Sequence, residues 1–193
     1  MKSVAVYCGA SPGFNEVYRQ QADLMGQELA QRGITLVYGG GRVGLMGAVA
    51  DSVIRNGGKS IGVIPDFLAD KELAHLGLTE LHIVKSMHER KLLMADLAEG
   101  FIAMPGGFGT LEELFEVLTW GQLGLHKKPS GVFNVQGFYD HQLQFLDKMV
   151  EEGFLRPENR AQLQQDDSPA GLIDKMLAYV PTDLEKWLTD KRT

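Results

Sequence analysis

One stretch of the chain combines a glycine-rich turn with two acidic residues. Residues 104–113 read MPGGFGTLEE; they follow an apolar run at residues 101–103 and precede an amphipathic segment. This order predicts a strand, a tight turn and the start of a helix, with Gly109 or Thr110 near the N-cap. Unpaired amides at a helix N-terminus, next to glycines that allow close approach, favour binding of a phosphate group.

The two acids of this stretch suggest chemistry on a sugar attached to the bound phosphate. Glu112 and Glu113 are expected in the first helical turn, beside the phosphate. An acid in a first turn is common, because it interacts favourably with the helix dipole, so a plain helix start remains an alternative. A phosphate site with a carboxylate one turn away also suits a reaction on a sugar phosphate.

Composition limits the possible classes. The chain has 193 residues, of which 44% are hydrophobic and 23% charged, so we expect one folded domain at residues 1–180 followed by a polar tail at 181–193. A net charge of -6 argues against nucleic-acid and membrane partners. The single cysteine, Cys8, excludes an intrachain disulfide and fits a cytoplasmic location. No apolar run has the length of a membrane span or a signal peptide.

Apolar runs alternate with helical patterns along the chain. Strands are predicted at residues 3–7, 34–38, 59–64, 80–84, 101–104 and 129–134, and helices at 15–31, 48–56, 87–97, from the glycine turn to about 123, 139–152 and 172–179. Residues 66–78 are predicted to be irregular. This alternation predicts an α/β fold with an open, mostly parallel sheet flanked by helices on both faces, and ligands at the carboxyl ends of the strands.

Other motifs give weaker indications. Residues 39–47 form a second glycine-rich turn that matches G-x-G-x-x-G by count, but it follows the second strand and no acid ends the next one, which disfavours a dinucleotide site. No P-loop and no Gly-x-Ser-x-Gly elbow is present. The five histidines lack ligand spacing, so no metal is expected, and no lysine is marked as a cofactor site.

Basic residues near the start of the predicted helix 87–97 need an explanation. Arg90 and Lys91 oppose the helix dipole there, which suggests a function, although pairing with Glu89 or another acid would also account for them.

At this point the sequence resembles a known family. MHERK at residues 87–91, followed by PGGFGTLEE at 105–113, is similar to the paired signature of the Lonely Guy family, the cytokinin riboside 5′-monophosphate phosphoribohydrolases. The resemblance extends over nearly the whole chain, including residues 8–11, 39–47, 120–128 and 151–154.

The resemblance implies a Rossmann-like homodimer that needs no cofactor. It would hydrolyse the N-glycosidic bond of an AMP-like nucleoside 5′-monophosphate to the free base and ribose 5-phosphate. It implies Arg90 and Glu113 as the catalytic pair. The implied substrate-binding residues are Glu72, Arg90, Lys91, Gly106, Gly107, Phe108, Gly109, Thr110, Leu111, Glu112, Glu113 and Thr119.

Physical reasoning reaches the same residues. Cleavage of an N-glycosidic bond builds positive charge on the ribose, which a carboxylate stabilises. Glu113 would supply that carboxylate, and Arg90 would keep it ionised. Adjacent helical residues point about 100° apart, so we expect one acid to face the phosphate site, and the signature selects Glu113. Glu112 is left to contact a ribose hydroxyl from the side. A noncatalytic nucleotide-binding module and an enzyme acting on other nucleotides, as a nucleosidase or a phosphoribosyl transferase, remain the alternatives.

Overall fold

The computed structural model describes residues 1–69 and 74–181. Its strands are β1 Ser3–Tyr7, β2 Thr35–Tyr38, β3 Ser60–Pro65, β4 Glu80–Val84, β5 Phe101–Ala103, β6 Ser130–Phe133 and β7 Leu163–Asp166. Its helices are α1 Val17–Gln31, α2 Gly44–Arg55, α3 Asp66–Ala69, α4 Met87–Leu97, α5 Phe108–Gln122, α6 Asp140–Glu151, α7 Pro157–Arg160 and α8 Pro169–Ala178, with a short 3-10 turn at Val135–Gly137. The predicted tail lies almost wholly outside the described residues.

All strand pairs of the sheet are parallel, in the order β4-β3-β2-β1-β5-β6-β7. Side chains of a strand alternate between the two faces. Val4 and Val6 accordingly pack with α1, α2 and α8, whereas Ala5 and Tyr7 pack with α4 and α5. Both faces are therefore covered by helices, and the predicted α/β fold is confirmed.

Several element boundaries differ from those predicted. The helix expected at 48–56 begins at Gly44, and the segment 66–78 contains the short helix α3. The edge strand β7 was not predicted at all, because its sequence LQQD has one buried apolar residue, Leu163, and no hydrophobic alternation. Among the described residues, no helix has the length and apolar character needed to cross a membrane.

The strand order reverses between β1 and β5, and ligands of open parallel sheets bind outside such a reversal. The chain leaves these two strands in opposite directions, which opens a crevice between the loops that follow them. The two loops are joined at its floor by a hydrogen bond from the Gly9 amide to the Pro105 carbonyl, 3.1 Å long.

Candidate active site

A cavity of about 550 Å³ lies at this reversal. Its walls come from the loops after β1, β5 and β6 and from the helices α2, α4 and α5. The predicted site residues that border it are Arg90, Gly106, Gly107, Gly109, Thr110, Glu112 and Glu113. Residues 23 positions apart in sequence are thus brought to one cavity by the fold.

The glycine turn after β5 leads into α5 without a side-chain cap. Gly107 is the N-cap residue, and the first helical hydrogen bond runs from the Leu111 amide to the Gly107 carbonyl, 3.2 Å long. The amides of Phe108, Gly109 and Thr110 precede this bond and are therefore available to a ligand by helix geometry. The predicted cap at Gly109 or Thr110 is wrong, because Gly107 already adopts the extended backbone of a cap, and the helix takes in the later glycine.

The spaces around the glycines of this turn differ. A Cβ on Gly106 would lie 2.1 Å from the Thr110 hydroxyl oxygen and 3.0 Å from the Gly9 amide nitrogen, so this position admits glycine alone. A Cβ on Gly107 or Gly109 would meet no atom within 4 Å. The backbone is therefore packed tightly on one side and open to the cavity on the other.

Both acidic residues lie beyond the first turn of α5. Counted from Phe108, Glu112 and Glu113 occupy the fifth and sixth helical positions, and the first turn holds no acid. The prediction of first-turn acids is wrong for the same reason as the predicted cap. Both residues border the cavity, and which of them faces the phosphate stays a prediction.

Arg90 reaches the cavity from α4, whose start is fixed by a capping interaction. Ser86 is the N-cap residue, and its hydroxyl accepts a hydrogen bond from the Glu89 amide, 3.1 Å long, as is typical of an N-cap serine. Arg90 is only 5% exposed. Its Nη2 donates to the Gly39 carbonyl at 2.8 Å, and its Nη1 lies 3.8 Å from the Met87 sulfur. A buried arginine held in this way presents its charge to the cavity from a fixed position.

The buried thiol of Cys8 lies within the electrostatic influence of both members of the predicted catalytic pair. Burial raises the pKa of Cys8 far above its ordinary value, the Glu113 charge raises it further, and the Arg90 charge lowers it. Cys8 itself borders the cavity just after β1. Cys8, Arg90 and Glu113 therefore border the same cavity, and the thiol stays protonated at neutral pH.

Lys91 lies beside the cavity and binds the acids of α5. Its Nζ is 2.5 Å from a Glu112 carboxylate oxygen and 3.0 Å from a Glu116 carboxylate oxygen. Burial lowers the pKa of Lys91, but the hydrogen bonds to Glu112 and Glu116 outweigh burial and leave it above its ordinary value. Lys91 thus neutralises Glu112 and fixes α5 against α4.

Four predicted residues lie elsewhere or outside the described chain. Phe108 is 94% exposed and does not border the cavity, and Leu111 packs against the core below α5. Thr119 donates to the Phe115 carbonyl within α5 and borders a second, smaller cavity of about 160 Å³. Glu72 lies outside the described residues.

The apolar walls of the cavity were not predicted from sequence. They are formed by side chains that loops and helices far apart in sequence contribute: Tyr18, Leu45, Met46, Leu68, Met87 and Phe138. The aromatic rings of Tyr18 and Phe138 contact each other edge to face, with centroids 5.8 Å apart. The one available sequence signal was Met87, which opens the MHERK segment.

A buried tyrosine supports the glycine turn from below. The Tyr139 hydroxyl donates to the Met104 carbonyl at 2.6 Å, and both residues are at most 1% exposed. The Tyr139 amide in turn donates to the Asn134 side chain at 2.7 Å. The loop after β6 therefore fixes the last residue of the β5 segment before the turn.

No cluster of three or more potential metal ligands occurs among residues 1–69 and 74–181. The chemistry available on these residues is that of carboxylates, a guanidinium and helix amides.

Comparison with known proteins places this arrangement in a family. Residues 46–176 match the family model described as possible lysine decarboxylase. A cytokinin riboside 5′-monophosphate phosphoribohydrolase from Rhodococcoides fascians is 51% identical over 163 residues, which cover 84% of this chain and 82% of the relative. The cytokinin riboside 5′-monophosphate phosphoribohydrolase LOG1 from Arabidopsis thaliana is 47% identical over 180 residues, which cover 93% of this chain and 84% of the relative. A probable one from Oryza sativa subsp. japonica, LOGL5, is 48% identical over 180 residues, covering 93% and 73%.

Solved structures share the fold at lower identity. The X-ray structure of TM1055 superposes with a TM-score of 0.72 at 22% identity, covering 93% of this chain and all of the other. The molybdenum cofactor carrier protein from Chlamydomonas reinhardtii gives a TM-score of 0.68 at 19% identity, covering 92% and 98%. These likenesses concern the fold, whereas the sequence matches are far closer. The chain therefore belongs to the family that the possible lysine decarboxylase model describes and that includes the cytokinin riboside 5′-monophosphate phosphoribohydrolases.

Proposed function

We propose that this protein hydrolyses the N-glycosidic bond of cytokinin riboside 5′-monophosphates, and of AMP, to release the free base and ribose 5-phosphate. The observation that carries the proposal is the 47–51% identity to phosphoribohydrolases over most of the chain. The name of the matching family model suggests decarboxylation instead. The cavity gives that name no support, because its described lining includes no lysine, and Lys91 of α4 is bound to two carboxylates.

The 5′-phosphate would bind at the open side of the glycine turn. The amides of Phe108, Gly109 and Thr110 and the positive end of the α5 dipole favour an anion there. The absence of side chains at Gly107 and Gly109 lets the phosphate oxygens reach the backbone. Binding energy from this remote group would orient the ribose for reaction.

Glu113 would act on the ribose. As the C1′–N bond lengthens, positive charge grows on C1′ and O4′, and a carboxylate at the cavity wall stabilises it. Water then forms the new bond to C1′, the base leaves with the bond electrons, and the proton from water ends on the base.

Arg90 would keep Glu113 ionised and hold it in place. Both residues border the cavity, and both affect the Cys8 thiol electrostatically, with opposite signs. An opposite charge favours the ionised form of a carboxyl group. The base would lie against the apolar walls, which include Met46, Leu68 and Phe138.

We further propose that the protein is a cytoplasmic homodimer. The outer face of α5 carries Phe115, which is 37% exposed, and with Leu118 it lines the second cavity. An exposed apolar face of this kind is typical of an association surface. Sedimentation at micromolar concentration tests it, and a Phe115→Glu variant is expected to be monomeric.

A substrate panel tests the proposed reaction. The purified protein is incubated in phosphate-free buffer with N6-isopentenyl-AMP, AMP, GMP, CMP and the riboside without phosphate, and free base and ribose 5-phosphate are measured by chromatography. We expect equal amounts of both products from the adenine-type monophosphates and at least a 100-fold lower rate from the riboside, since the phosphate contributes the orienting energy.

Two outcomes would contradict the proposal. Tight binding of the monophosphates without any base release would make the protein a nucleotide-binding module. Base release that requires added pyrophosphate or phosphate would make it a transferase.

A further inference from the structure

The carbonyl of Gly39 anchors the guanidinium of Arg90. Gly39 directly follows β2, 51 residues before Arg90, and it accepts the 2.8 Å hydrogen bond from Nη2. Both residues are buried. This bond ties the side chain from α4 to the end of a central strand of the sheet.

The missing side chain of Gly39 leaves the space that the guanidinium occupies. A Cβ at this position would lie 1.8 Å from Arg90 Nη2 and 2.9 Å from its Cζ, far inside van der Waals contact. It would also lie 3.2 Å from the Met46 sulfur. The backbone of Gly39 has no left-handed φ, unlike that of Gly40 and Gly44 in the same turn. Glycine is therefore required at position 39 for space and not for conformation.

We propose that Gly39 is the positioning residue for Arg90, through both its carbonyl and its lack of a side chain. The inference rests on the proposed function, in which Arg90 acts on the reacting centre. Gly39 is absent from the described residues that border the cavity, so it acts on the site through its neighbours, of which Arg90 is the nearest. The turn at residues 39–47 matches the dinucleotide fingerprint by count but not by its position in the fold. Through Gly39 it has a different role in the site.

The consequence of a side chain at position 39 follows from what it would displace. The obstructing atoms are the far end of a long, flexible side chain, which can rotate away while the backbone stays in place. Gly39→Ala should therefore leave the fold intact but move the charge of Arg90. Gly39 does not border the cavity, whereas the turn at residues 105–110 does, so substrate binding should change less than the rate of the chemical step.

A double-mutant cycle measures this coupling. The variants are Gly39→Ala, Arg90→Ala and the combination of both. We expect kcat with N6-isopentenyl-AMP to fall about 100-fold or more in Arg90→Ala and at least about 30-fold in Gly39→Ala, with KM changed less than about threefold. The combined variant should match Arg90→Ala within about threefold, because without Arg90 the side chain at position 39 has no guanidinium to displace.

Gly131→Ala serves as the matched control. Gly131 lies in β6, and a Cβ there would also press on the end of a flexible side chain, 2.8 Å from a Leu172 methyl carbon, but away from Arg90. We expect it to keep kcat within about threefold of the parent protein, and its effect to multiply with that of Arg90→Ala.

Thermal unfolding gives a readout that does not depend on activity. If Gly39→Ala fails to fold, the proposal requires that removal of the Arg90 side chain restores folding. The combined variant should then have the same melting temperature as Arg90→Ala. A Gly39→Ala variant with parental kcat, a combined variant whose losses multiply, or one that melts far below Arg90→Ala would overturn the inference. An inactive parent protein would instead refute the proposed function.

Discussion

The two glycine-rich turns of this protein look alike in sequence but differ in structure. In the turn after β2, glycines are required by neighbours: a Cβ on Gly44 would lie 2.3 Å from the Ala10 carbonyl group, and one on Gly47 would lie 2.0 Å from the Arg42 oxygen. In the turn after β5, Gly107 and Gly109 face open space. The first turn is a packing joint, and the second exposes its backbone to the cavity.

Glycine content alone therefore does not identify a ligand site. Glycine serves close packing and positive φ as well as close approach of a ligand. Gly44 combines the first two reasons, since its φ is +63°. A ligand site needs glycine for close approach, and this need is visible only as empty space beside backbone amides. The two turns are nevertheless linked, because Arg90 is held by the first and faces the cavity of the second.

The largest contrast is expected between Gly44→Ala and Gly109→Ala. Gly44→Ala forces a left-handed backbone and a backbone clash, so unfolding free energy should fall by about 3 kcal/mol or more. Gly109→Ala should leave stability equal or slightly higher, because alanine is the better helix former. Its methyl group would instead meet the phosphate, and KM should rise about tenfold, or about 1.4 kcal/mol. Chemical denaturation and steady-state kinetics measure the two quantities.

Either of two results would contradict this distinction between the two turns. A Gly109→Ala variant with unchanged KM would place the phosphate elsewhere. A fully stable Gly44→Ala variant would mean that the first turn is not a packing joint.

A smaller effect is expected beneath the second turn. Tyr139→Phe removes the hydrogen bond to the Met104 carbonyl and leaves that buried oxygen without its donor, which costs about 1–3 kcal/mol of stability. The turn above it should bind phosphate less well, so KM should rise a few-fold while kcat changes little. Phe138→Leu, one residue earlier on the cavity wall, is the control, and it should leave stability within about 1 kcal/mol. Equal stability of Tyr139→Phe and the parent protein would contradict this role.

Much of the fold could be predicted because its signals are local. The strands at residues 3–7 and 80–84 and the helix at 87–97 were predicted with the bounds that the structure has. Several helices begin earlier than predicted, at Gly44, Phe108 and Pro169, and the short helix α7 was not predicted. Gly44 and Gly109 both lie inside helices that were expected to start later, because sequence alone does not tell a turn glycine from a helical one. The polar edge strand β7 lacked the alternation on which strand prediction depends.

The site divides in the same way. Residues within the two signature segments were named from sequence, whereas Tyr139, Phe138 and Gly39 were given no role in the site. These contribute through contacts between segments that only the folded sheet brings together, such as the bond from Arg90 to Gly39. The spacing of the signature also did not reveal that Lys91 binds Glu112. This ion pair neutralises Glu112 and so distinguishes it from Glu113.

We propose that Glu113 carries the reaction while its neighbour Glu112 does not, and a paired comparison of the two carboxylates tests this assignment. Base release from N6-isopentenyl-AMP is followed by chromatography for Glu113→Gln and Glu112→Gln, with binding of the same nucleotide measured by calorimetry. We expect Glu113→Gln to bind within about tenfold of the parent protein but to release base at least about 1000-fold more slowly, and Glu112→Gln to lose less than about tenfold in rate. Parental turnover by Glu113→Gln, or equal losses in both variants, would contradict the assignment.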